Sequence, residues 1–249
     1  MQNTGKRMRK PLATRGHRRE LLKIDGRAVE VTMRLNPRAR RLIVKVNPST
    51  GEVTVVAPSQ RALDRALDFA RGETPWIARQ LARVPKPIAL VLGARIPLRG
   101  REHEIVKGDR NGPAQLDSQA HVIRVGGQDV YAPRRIADFL KREARKVLEL
   151  RTRDYAARID ARVRRVTVRD TSSRWGSCST SKSISYSWRL ILAPEFVLDY
   201  VVAHEVAHLR EMNHSPRFWR VVKTLVADIE SPQRWLRKNG AALHRYGVR

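Results

Sequence analysis

The chain has 249 residues, enough for one large domain or two small ones whose core needs no covalent staple. Lysine and arginine number 51 against 24 acidic residues, a net charge of +27, so polyanions are attracted without any one of them being specified. A single cysteine excludes an intramolecular disulfide, and no apolar run approaches the roughly 18 residues of a membrane span, so a cytoplasmic chain with no membrane partner is expected.

Residues 1–20 carry seven basic residues and one acidic, which reads as a disordered basic tail. No hydrophobic core follows the first basic residues, so the tail is not read as a secretory signal. Residues 21–249 are expected to form the folded domain, with a β-rich portion over 21–130 and a helical portion over 131–249. Val29, Val31 and Met33 alternate, as do Leu42, Val44 and Val46, and a turn at Asn47–Gly51 leads into a strand at Val53–Val56. Ser59 then caps a helix carrying Leu63, Leu67 and Ala70, and Thr74-Pro75 restarts it for Trp76, Ile77 and Leu81.

Beyond a short connector at Pro85-Lys86-Pro87, a second β-rich piece runs from about Leu90 to Val130, turning at Asp109–Pro113. From Arg134 to about Ile159 the pattern is a long amphipathic helix. Ile136, Phe139, Leu140, Val147, Leu148 and Ile159 fall near one side, and the basic opposite face reads as solvated. Residues 134–169 hold thirteen basic and five acidic residues, whereas 170–220 hold six and five. The positive field therefore comes from the scaffold and not from the motif region. No helix-turn-helix, zinc-finger or RNP-type signature accompanies it, and with 6% aromatic residues base stacking is unsupported.

Ile184, Tyr186, Trp188, Leu190 and Leu192 alternate with Ser185, Ser187 and Arg189, which predicts one half-buried strand. Pro194-Glu195 suits a helix start, and Val197, Val201, His204 and His208 then fall on one stripe. His204-Glu205-Val206-Ala207-His208 sets two imidazoles one turn apart, able to share a divalent cation, with Glu205 beside them to polarise a metal-activated water. His214 supplies a third nitrogen. Its offset from His204 equals that of H-E-x-x-H-x-x-G-x-x-H, but Glu211 stands where glycine would turn the chain. Asn213 is expected to make that turn in the left-handed conformation, before Ser215-Pro216 opens a helix through Phe218, Trp219, Val222 and Val226. Glu211 is a rival third ligand, and Cys178 as a fourth would make the site a closed, structural one.

The run Arg174-Trp175-Gly176-Ser177-Cys178-Ser179, the H-E-x-x-H-L helix, Asn213-His214-Ser215 and Phe218-Trp219 resemble the YgjP-like metallopeptidases of bacteria. The likeness is close from about Arg174 to Trp219, and looser at Arg38-Ala39-Arg40-Arg41 and Trp76-Ile77. It implies a zincin-like α+β fold related to the SprT-like and WLM metallopeptidases, with a β-rich N-terminal portion. It also implies Zn²⁺ held by His204, His208 and His214, with Glu205 as the catalytic residue. Arg174 and Tyr186 become oxyanion-stabilising candidates by their place in the motif. In zincins a strand beside the metal helix can pair with an extended substrate, a role that falls here to the strand beginning near Ile184.

The reading is a zinc-dependent hydrolase acting on a peptide or protein. The alternatives are a metal-dependent nucleoside triphosphate pyrophosphatase, an activity credited to relatives, and a basic nucleic-acid-associated protein with a secondary metal site.

Overall fold

Two hydrophobic cores, each closed by its own helices on its own sheets, organise the chain. The structure, a computed structural model, describes residues 17–48, 50–84, 86–109, 111–171 and 174–247. The chain is α+β and divides into a unit ending at Val84 and a unit beginning at Pro85. That boundary lies inside the segment read from sequence as one β-rich portion.

The first unit contains β1 (His17–Ile24), β2 (Arg27–Leu35), β3 (Ile43–Val46) and β4 (Val53–Ala57), ordered β1-β2-β4-β3. β2 and β4 run parallel, Val31 opposite Val53, and the outer pairs are antiparallel. Val31, Met33, Val53 and Val55 are buried, because alternate side chains of a pleated strand share one face. That face meets α1 (Gln60–Asp64), α2 (Ala66–Gly72) and α3 (Thr74–Ala82) through Leu63, Ala66, Ala70 and Ile77. Ser59 caps α1 as expected, accepting from the Ala62 amide at 3.3 Å.

The expected tail is corrected at its end. Residues 17–20 belong to β1 and pair with 31–34 of β2, since a backbone ladder accepts charged residues as readily as apolar ones; residues 1–16 lie outside the described residues.

In the second unit β5 (Arg95–Leu98), β6 (Arg101–Lys107), β7 (Gln115–Asp117) and β8 (Val122–Val125) form a sheet ordered β5-β6-β8-β7. The long helix α4 (Ala132–Arg158) follows, burying Ile136, Phe139, Leu140, Ala144 and Leu148 along the expected stripe and extending it to Thr152 and Tyr155. Then β9 (Arg165–Arg169), β10 (Gly176–Cys178) and β11 (Ser183–Ser187) make a three-stranded sheet ordered β10-β11-β9. Helices α5 (Glu195–Ala207), α6 (Pro216–Leu225) and α7 (Glu230–Leu243) complete the unit.

The strand expected over 184–192 ends at Ser187, and Trp188–Leu192 is a 3-10 helix. Leu190, Ile191 and Leu192 are all buried, which no two-residue period permits. Arg189, expected to face out, is buried too: it pairs with Asp170, lies 4.5 Å from the Trp188 ring and donates to the Tyr246 carbonyl at 3.3 Å. Among the described residues no helix is long and apolar enough to cross a membrane.

Candidate metal centre

α5 carries Val197, Leu198, Tyr200, Val201, Val202, Ala203, Val206 and Ala207, all buried, so it runs through the core and not along its surface. Pro194 occupies its N-cap position and Glu195 its first turn. Arg151 of α4 pairs with Glu195 and, at 2.9 Å, with Asp199, which pins the start of the helix. The other end delivers the chemistry: His204 and Glu205 lie in the last turn, and His208 is the C-cap.

The chain then tightens, with the Leu209 amide on the Val206 carbonyl and the Arg210 amide on that of Ala207. Asn213 is not in the left-handed region, which corrects the expected turn. It acts through its side chain instead, Oδ1 accepting from the Ser215 amide at 3.3 Å, and Ser215 Oγ in turn accepts from the Phe218 amide at 3.5 Å to cap α6. This elbow returns His214 to the end of α5.

One ring nitrogen from each of His204, His208 and His214 lies within 4.8 Å of the others, and the Nε2 atoms of His204 and His214 are 3.1 Å apart. His208 Nδ1 stands 3.0 Å from the Glu211 carbonyl, which can only accept; Nδ1 therefore carries the proton and Nε2 keeps its lone pair. His204 Nδ1 is buried with no hydrogen-bond partner among the described residues. Burial, reinforced by His208 and His214, holds the His204 ring down at about 4, and burial lowers His208 as well. Neutral imidazoles with free lone pairs are what a divalent cation requires.

Phe218, fully buried, is the common floor, its ring 4.9, 4.5 and 4.8 Å from those of His204, His208 and His214. Glu205 is buried against β10. Burial pushes its carboxyl up to about 7, with the charge of Arg174 pulling the other way. Gly176 makes the fit possible: a Cβ there would lie 2.5 Å from Glu205 Cγ and 2.6 Å from Oε1.

The structure thus brings together His204, His208 and His214; Glu205 follows His204 in the last turn of α5 and is not in that group. Neither Glu211 nor Cys178 joins the cluster; Glu211 contributes its backbone carbonyl, and burial pushes the Cys178 thiol up to about 11. Tyr186 is fully buried with its hydroxyl 2.9 Å from Thr152 Oγ1, which itself donates to the Leu148 carbonyl, so the phenol is spent in the core. β11 is the middle strand, paired on both sides, and the sheet edge nearest Glu205 is β10. Three residues of the site escaped the sequence reading. Phe218 was read only as a helix and motif residue, and Gly176 only as part of a motif. Tyr200, one turn before His204 and hydrogen-bonded to Gln233 at 2.8 Å, was not singled out.

Comparison with known proteins puts the chain among metallopeptidases. A family model described as YgjP-like, metallopeptidase domain, matches residues 40–239, and the chain belongs to the YgjP-like family. No curated protein matches the chain. Among solved structures it is similar to the crystal structure of the metallopeptidase zymogen of Pyrococcus abyssi abylysin, at 20% identity and a TM-score of 0.34, with 36% of this chain and 93% of that one covered.

Proposed function

We propose that the protein is a zinc-dependent peptidase in which His204, His208 and His214 hold the ion and Glu205 is the general base. The convergence of three imidazole nitrogens within 4.8 Å, with a buried carboxylate on the next residue, carries this reading. The donor set fits: three imidazole nitrogens suit zinc, and a three-ligand shell leaves a position for chemistry. The His208–Glu211 hydrogen bond supplies the orienting partner that ligating histidines need.

When bound, the ion supplies Lewis acidity toward water and toward the scissile carbonyl. Glu205 takes the proton of the attacking water and passes it to the leaving amine. Its carboxyl, raised to about 7, is tuned for both halves of that transfer near neutral pH. The charge of Arg174 opposes that rise. Phe218 and the apolar flank of α5 back the half-buried His204 and His208, while His214 is exposed to solvent.

The test is Glu205→Gln, assayed for zinc content and for hydrolysis of unfolded casein and of UTP. Retained zinc with lost casein cleavage is the expected result. Full cleavage by the variant would remove Glu205 from the mechanism. Pyrophosphate release from UTP by wild type, with no casein cleavage, would replace the peptidase reading.

A further inference from the structure

The sheet β10-β11-β9 turns one face to the core; the other is buried at Ser187, beside Thr171, and elsewhere is open among the described residues. On the inner face stand Ile184 and Tyr186, with Val166 and Val168 packed against the core. The register aligns the outer residues in rows: Ser177 opposite Ser185 and Ser185 opposite Thr167, with Ser183 opposite Arg165. Together with Arg169 these residues line an open concavity of about 540 Å³. Arg174 lines it as well; among the described residues no acidic side chain does, and neither Arg165 nor Arg169 makes an ion pair. A hydroxyl floor between unpaired guanidinium groups is a donor-rich surface suited to phosphate oxygens.

The cationic surface continues. Arg169 also lines a second concavity of about 570 Å³, where α4 contributes Lys141, Arg142 and Arg145. The two acids lining that space are engaged, Asp138 with Arg134 at 3.8 Å and Asp170 with Arg189. Arg165 and Arg169 are about 13 Å apart along β9, far enough to engage separate phosphates of one strand. An isolated anionic side chain would use only a fraction of this surface. No aromatic ring lines the first concavity, so bases have no stacking platform there.

We propose that this outer face binds the phosphodiester backbone of nucleic acid, without sequence preference, through Arg165, Arg169 and the hydroxyl rows between them. The function of the histidine cluster does not enter this reasoning.

The test measures fluorescence anisotropy of a labelled single-stranded DNA of mixed sequence, about 20 nucleotides long, with the full chain across about 50 to 200 mM salt. Arg165→Gln/Arg169→Gln removes two phosphate contacts. It should reduce the slope of log K against log salt by about 1.4 and weaken binding about 25-fold near 0.1 M salt. Arg165→Lys/Arg169→Lys should keep the slope. The charge-matched Arg27→Gln/Arg34→Gln, on two exposed β2 residues that line neither concavity, should change affinity by less than about twofold.

Equal losses in the two glutamine variants would assign binding to bulk charge and overturn the proposal. So would a lysine variant as weak as the glutamine one, which would mark a structural effect. Failure of wild type to bind, or its displacement by polyglutamate of equal charge as readily as by DNA, would do the same; the latter result would assign the face to acidic peptides.

Discussion

Replacing Gly176 by alanine tests the close approach that holds Glu205 in place. The added Cβ would meet Glu205 Cγ at 2.5 Å, Oε1 at 2.6 Å and Cδ at 2.7 Å, whereas ordinary contacts begin near 3.4 Å. Something must therefore move by nearly 1 Å, either the buried carboxylate or the edge strand β10. Overpacking of this kind costs about 1–3 kcal/mol. The φ of Gly176 lies outside the left-handed region, so alanine brings no backbone strain of its own. Removing the Glu205 side chain beyond Cβ deletes all three clashing atoms. In a Glu205→Ala background the same substitution should then cost close to nothing.

The assay is urea unfolding of the metal-free protein, followed by tryptophan fluorescence for wild type, both single variants and the double variant. Of the five tryptophans, Trp175, Trp188, Trp219 and Trp235 lie in the second unit, so the signal reports mainly the unit that holds the site. The expected coupling energy is at least about 1 kcal/mol, well outside the roughly 0.3–0.5 kcal/mol scatter of additive pairs. Equal costs of Gly176→Ala in the two backgrounds would show that the glycine is not there for Glu205. In hydrolysis, Gly176→Ala with zinc retained should lose about 10²-fold, the usual price of a 1 Å misplacement.

Burial, with Arg189 nearby, holds His244 down at about 4 against an ordinary 6.5. Between these values the unfolded chain takes up a proton that the folded chain refuses. Stability is therefore intact above pH 6.5 and falls as the pH drops toward 4, by about 3 kcal/mol from this group. Metal-free His244→Gln should lose less stability than wild type across that window, and parallel pH profiles would contradict the assignment. Zinc at about 100 times its Kd should raise the unfolding free energy of wild type by about 2.7 kcal/mol and leave His204→Ala/His208→Ala unchanged in thermal scans. Equal stabilisation of both proteins would place the ion elsewhere. Phe218→Ala should cost about 3–5 kcal/mol and lower zinc retention, because the ring packs on all three imidazoles. A variant matching wild type in urea midpoint and zinc content would deny the ring that role.

Much of this was legible in the sequence because it rests on local periodicity. His204 and His208 share a helix face by the 3.6-residue repeat alone, and Ser59 and Ser215 announce their helices by cap chemistry. The apolar stripe of α4 and the alternation in β2 and β4 follow from the same local rules.

Tertiary structure decided what local pattern cannot encode. The strand from Ser183 stops at Ser187 because Arg189 finds Asp170 nineteen residues away in sequence and can be buried, which no window around Trp188 reveals. The return of His214 depends on an Asn213 side-chain turn and on Phe218 packing beneath it, not on the left-handed residue that spacing called for. Gly176 acquires its meaning only when α5 crosses β10 closely enough to leave no room for a Cβ. Sequence carries the identity of donors and their register along one element; the distances between elements come from packing, and those distances bring the nitrogens of three histidines together.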